Sequence, residues 1–184
     1  MKKIRNKLHN RKGFSLAETL MAVLILLMVS AVVAAGIPMA REAYEKAVDA
    51  ANAQTLLSTT VTMLRSELGE SKYISGGGEG GEPIVYLSGR TGMDTTLSRP
   101  SSTDSTHDRG LFLSYTVTIN DTPTTKTWYL VTSQTATKRL KTDFDSITYE
   151  SATGLYTVKG LRVERDGSGT IATLETLEIR TVNP

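Results

Sequence analysis

From Thr19 to Ala40 the chain runs 22 residues without a charged side chain, and this run limits its folding more than any other feature. At about 1.5 Å per residue the run spans about 33 Å as a helix, close to the hydrocarbon thickness of a bilayer. Before it stand Lys2, Lys3, Arg5, Lys7, Arg11 and Lys12 with no acid among them. A much longer segment of mixed charge follows. That asymmetry predicts a single pass with the N-terminus cytoplasmic and the C-terminus outside.

The 184 residues suffice for one modest domain plus an extra element. Net charge is formally +2, but six of the 21 Lys and Arg lie in the first twelve residues. Without them 15 basic groups face 19 acidic ones, a balance of −4. The basicity belongs to the leader, so no nucleic-acid partner is expected. The absence of cysteine excludes disulfides, thiolate metal sites and a cysteine nucleophile.

Beyond Pro38 the helical pattern changes character. Tyr44, Val48, Ala51, Leu57, Val61, Leu64 and Leu68 predict one apolar stripe. Arg41, Glu42, Glu45, Lys46, Asp49 and Arg65 are placed on the opposite, solvated face. Gly69 is the expected stop. Residues 14–68 are thus expected to form a helix of about 80 Å with a bend at Pro38.

SGGGEGGE at 75–82 reads as a flexible loop. Strands are expected at 83–89, 110–119, 126–133, 146–151, 155–164 and 170–181, where β-branched and aromatic residues lie between turn formers. Asn120 to Thr125 and the run Asp166, Gly167, Ser168, Gly169 are hairpin turn candidates. The polar stretch from Gly89 to Arg109 is expected to be an exposed excursion. The fold class is therefore α+β, with a long N-terminal helix packed on a C-terminal antiparallel sheet.

At the border of leader and span stands RKGFSLAET, residues 11–19. This stretch resembles the type III signal of type IV pilins and type II secretion pseudopilins. The resemblance implies that a prepilin peptidase cuts between Gly13 and Phe14 and methylates the new amino group of Phe14, with Glu18 as the fifth mature residue. It implies four segments: a cleaved leader (1–13), a transmembrane or filament-core helix (14–40), an amphipathic helix half (41–69) and an extracytoplasmic β-rich head (70–184). It also implies a place in the bacterial cell membrane, then in a filament. The implied partners are other pilin or pseudopilin subunits, a platform protein and an assembly ATPase. Two features depart from many pilins: no cysteine pair closes a C-terminal loop, and Pro38 lies slightly later than the usual first helix proline.

The spacing has a physical reading of its own. Glycine before a scissile bond lets an extended backbone approach a protease closely. Residues four apart share a helix face, so Glu18 lies about 6 Å along the axis from the Phe14 amine. An ionised carboxylate in an apolar span costs up to roughly 2.5 to 3.5 kcal/mol, less near an end. Pairing with the amine of an axially staggered neighbour neutralises it and penalises wrong registers. Alternatively, Glu18 snorkels to the headgroups and pairs with Lys12 or Arg11.

Two other readings treat Glu18 as incidental, an ordinary signal peptide cut near Ala34, Ala35 and Gly36 and a signal-anchored cell-surface binding protein; a third class is a secreted enzyme. The enzyme is the poorest, because one histidine and no cysteine in the mature chain assemble no nucleophile, base and orienter. His107 with Asp104 and Asp108 reads as a solvated loop, and a transition-metal site lacks a second His or Cys. Asp104, Asp108, Asp143 and Asp145 are oxygen donors suited to calcium, without EF-hand spacing. Trp128 and Tyr129 read as strand residues. A structural subunit without catalysis, cofactor or metal is expected.

Overall fold

The computed structural model describes residues 15–100, 110–119, 122–131, 139–167 and 169–182. The fold is α+β: among the described residues one helix, α1 (Leu16–Gly69), is followed by nine strands in two antiparallel sheets. The chain divides into two compact units, Met1–Lys46 and Ala47–Pro184.

Helix α1 begins where the Ser15 carbonyl accepts the N–H of Glu18 (2.9 Å) and Thr19 (3.2 Å). It continues through Pro38, whose ring supplies no N–H to the preceding turn. The hydroxyls of Thr19 and Ser30 return to the carbonyls of Leu16 and Leu26, 2.8 Å each, so neither needs water in the apolar run. At the other end the Val182 N–H caps the Gly69 carbonyl at 2.9 Å, meeting one of the unpaired acceptors of a helix C-terminus.

In the first unit the apolar side chains of the helix lie open, from Leu16 (81% exposed) to Met39 (73%). Among the described residues this is the one helix long and apolar enough to cross a membrane.

The helix of the second unit buries Asp49, Ala53, Leu56, Thr60, Leu64, Glu67 and Leu68, at spacings that follow the 3.6-residue period. The buried face differs from the expected stripe. Leu64 and Leu68 are buried and Val48, Leu57 and Val61 half-buried, but Tyr44 and Ala51 are exposed. Asp49, placed on the solvated face, is buried instead. Polar partners explain the rotation. Arg165 Nη1 lies 3.1 Å from Asp49 Oδ2, a charge contact whose geometry falls short of a hydrogen bond. Thr60 donates to the Leu56 carbonyl at 2.7 Å. Ser88 donates to Glu67 at 2.6 Å.

Sheet A is a five-stranded meander: β1 (Lys72–Gly76), β2 (Ile84–Leu87), β3 (Asp94–Ser98), β4 (Phe112–Ile119) and β5 (Thr122–Tyr129), neighbours in that order. Sheet B contains β6 (Leu140–Asp143), β7 (Ser146–Glu150), β8 (Leu155–Arg165) and β9 (Gly169–Arg180). β8 pairs with β9 along one edge, and with β7 and β6 end to end along the other. Leu64 and Leu68 meet Ile84, Tyr86, Leu97 and Leu113 of sheet A and Ile147, Tyr156, Val158 and Leu161 of sheet B in one core. A second cluster joins Ala53 and Leu56 of the helix to Leu140 and Val163 of sheet B.

Several strand expectations change. β1, β3 and β6 lie outside the expected strands. β3 occupies part of the excursion from Gly89 to Arg109; its buried side chains are Leu97 and Thr95, and Thr95 returns its hydroxyl to the Met93 carbonyl at 3.1 Å. β5 starts at Thr122, inside the expected Asn120–Thr125 turn, with Ile119 opposite Thr122. Pro123 is tolerated because β5 is an edge strand. Residues 120 and 121 lie outside the described residues. The other turn stands as expected: Arg165 pairs with Gly169, and Gly167 takes φ +75°, although Ser168 lies outside the described residues.

The glycine loop is pinned rather than free. Gly77 donates to the Pro83 carbonyl at 3.0 Å and Gly78 to the Ile147 carbonyl at 2.8 Å. A Cβ on Gly77, which has φ +77°, would sit 2.6 Å from that Ile147 oxygen. Glycine is needed because two backbones meet there.

Candidate assembly helix and the head's ionic seam

Gly13 and Phe14 lie outside the described residues, as do Lys12 and Arg11. Glu18 sits in the first turn of α1, exposed. A negative side chain suits a helix N-terminus, where the unpaired N–H groups carry partial positive charge. On the following turns Ala22, Ile25, Leu26, Val29 and Ser30 border one shallow apolar groove.

Among the described residues of the second unit the most concentrated charge is a chain of ion pairs at the end of β3 and along β6 and β8. Arg99, next after β3, grips Asp143 with two bonds, Nε to Oδ1 at 2.7 Å and Nη2 to Oδ2 at 2.8 Å. Arg162 of β8 reaches Asp143 Oδ2 at 2.9 Å, Glu164 Oε1 at 2.7 Å and Asp145 Oδ1. Lys141 adds a 3.0 Å contact to Glu164 Oε2. These partners leave their mark on the charges. The Arg162 guanidinium first, then the Lys141 ammonium, hold the Glu164 carboxyl below its usual range. The Asp143 carboxylate raises the pKa of Arg99.

Asp143 and Asp145, considered above as calcium donors, face guanidinium groups. Among the described residues no group of three or more metal-ligating side chains gathers. His107, Asp104 and Asp108 lie outside the described residues. Trp128 stands on the edge strand with its ring edge-on to Tyr115, centroids 4.7 Å apart. Tyr129 precedes Leu130, whose N–H bonds the Leu111 carbonyl at 2.8 Å.

Two buried polar groups of the core escaped the sequence reading. Glu67 accepts from Ser88, and the exposed Arg90 lies 3.6 Å from it. The Tyr86 hydroxyl is buried without a hydrogen bond; burial first, and then the charge of Glu67, push its pKa far up. The Arg99 grip on Asp143 was also missed. The directly opposed pairs Asp143 with Arg162 and Lys141 with Glu164 were the available signal, since opposite charges facing across strands stabilise a sheet.

The family model of the prokaryotic N-terminal methylation motif matches residues 8–34. No curated protein and no solved structure matches the chain. The matched stretch contains Gly13, Phe14 and Glu18 and enters the apolar helix. With this motif leading into a long apolar N-terminal helix, the chain fits a type IV pilin-like prepilin.

Proposed function

We propose that the chain is a structural subunit, a minor pilin or pseudopilin of a type IV pilus or type II secretion-like filament. One observation carries this reading: the methylation motif runs into a helix half that exposes its whole apolar surface and carries Glu18 as its single charge from Leu16 to Ala40. The peptidase cuts between Gly13 and Phe14, and Phe14 receives the methyl group. The mature chain is held in the membrane through residues 14–40, its N-terminus cytoplasmic and the β-rich part outside. A platform protein and an assembly ATPase then transfer it into the filament.

Transfer from lipid to a helix bundle exchanges one apolar surrounding for another, so area burial supplies little driving force. Dispersion packing and the pairing of Glu18 with the Phe14 amine of a neighbour supply it instead. The pair also selects register, because a shifted helix leaves a carboxylate unpaired among apolar side chains. The subunit works by assembly, without catalysis and without a cofactor.

Glu18→Ala tests the pairing. Processing is expected to continue, while the amount of subunit in sheared filament fractions falls about tenfold, the effect of about 1.4 kcal/mol in an equilibrium. Incorporation at the wild-type level would show that the carboxylate does not set the register.

A further inference from the structure

Among the described residues, sheet A and its flanks meet sheet B, besides the shared core, through Ser71 on the Tyr156 hydroxyl at 3.0 Å and Thr181 on the Ser71 carbonyl, and through at least three further polar contacts. One is the backbone bridge between Gly78 and Ile147. Another is the Leu111 N–H on Thr142 Oγ1 at 3.3 Å. The third is Asp143, and it holds by far the most charge. Its Oδ1 accepts from Arg99 Nε and, at 2.8 Å, from the Phe144 N–H. Its Oδ2 accepts from Arg99 Nη2 and Arg162 Nη2. The remaining arm of Arg99 donates to the Gly80 carbonyl at 3.2 Å, and its guanidinium lies 5.9 Å from the Phe144 ring centroid. A single carboxylate of sheet B therefore holds both the end of β3 and the glycine loop.

The attachments of the two sheets are unequal. Sheet B shares with the helix a second cluster, Ala53, Leu56, Leu140 and Val163, which sheet A reaches only through the half-buried Val131 just past β5. Sheet B also holds Asp49 of the helix through Arg165. Sheet A is tied to the helix through Ser88, which donates to Glu67 at 2.6 Å just past β2, and to sheet B through the common core and the seam. The Asp143 side chain is only 12% exposed, and charge-assisted bonds to a carboxylate screened from water are stronger than neutral ones. Loss of that charge leaves two guanidinium groups facing each other with fewer acceptors between them.

We propose that Asp143 is a latch, a conformational device of the fold. While it is closed, β1–β3 and the glycine loop stay on sheet B. Released, it lets sheet A open along the seam as a local unit while sheet B and the helix keep their packing. Such sub-global opening is a property that amide exchange reads directly.

The test is hydrogen–deuterium exchange on the full chain in detergent micelles, comparing wild type with Asp143→Asn. The amides of β2 and β3 are expected to exchange about tenfold faster in the variant, and those of β8 and β9 less than about threefold faster. Equal acceleration in both sheets, or none in sheet A, overturns the latch. Should Asp143→Asn not fold, Arg99→Gln gives the same reading: it removes the sheet A side alone and leaves the Arg162 pairs of sheet B in place. Unchanged exchange at β2 and β3 in that variant overturns the latch equally.

Discussion

Within one continuous helix, residues 16–46 and residues 47–69 solve opposite problems. The first stretch is the most apolar part of the chain, yet its apolar side chains stay open. The second contains Asp49, Thr60 and Glu67 and buries all three. Burial follows the available partner rather than the hydrophobicity of the residue. The head half meets a surface of the same chain that supplies Arg165 and Ser88 for its polar groups. The first half is open to surfaces outside the chain, lipid before assembly and sister helices after it under the reading proposed above.

The contrast breaks most clearly with one substitution made in each half. Leu64, fully buried, should cost about 3 to 4 kcal/mol when changed to Ala, since both transfer energy and a cavity are involved. Leu26→Ala, at a side chain 66% exposed, should change the unfolding free energy of the head by less than about 0.5 kcal/mol. Equal losses at both sites in detergent would show that the two halves share one core.

A middle effect belongs to Asp49. Asp49→Ala strands Arg165, and breaking a buried pair on one side costs roughly 3 to 5 kcal/mol. The Arg165 side chain is 19% exposed and can turn toward water, so about 2 kcal/mol is expected. A neutral result in the same denaturant titration would make the buried charge incidental.

The smallest effect is a pH slope. Arg162 and Lys141 depress the Glu164 carboxyl, so its folded pKa lies below its unfolded one. The pair's contribution is therefore present above the unfolded pKa of about 4.3 and is lost as pH falls through the lower folded value. Solvent reaches these side chains, which limits the contribution to under about 1 kcal/mol. Glu164→Gln should flatten the fall in stability between roughly pH 5 and pH 3. An unchanged acid slope would remove Glu164 from the head's acid response.

The helix was legible in the sequence because a long uncharged run and Gly69 mark its course, and the match at residues 8–34 falls on the motif read from RKGFSLAET. The face it buries was not. Apolar periodicity has no means of placing Asp49, whose partner Arg165 lies far along the chain, or Glu67, whose partner Ser88 belongs to the loop after β2. β3 was hidden because a strand inside a sheet usually reads as apolar, and here Thr95 fills a core position by bonding its hydroxyl locally. The glycine loop misled for a related reason. Local composition gives conformational freedom, while the Ile147 carbonyl that demands glycine comes from another sheet. What was missed is the set of contacts made between residues distant in sequence.

The most direct measurement is the mass of the N-terminal peptide of protein isolated from cells that carry the processing machinery. A chain beginning at Phe14 with one methyl group on its amine is expected. A chain that begins at Met1, or at Ile37 after a cut behind Ala34, Ala35 and Gly36, would contradict that expectation.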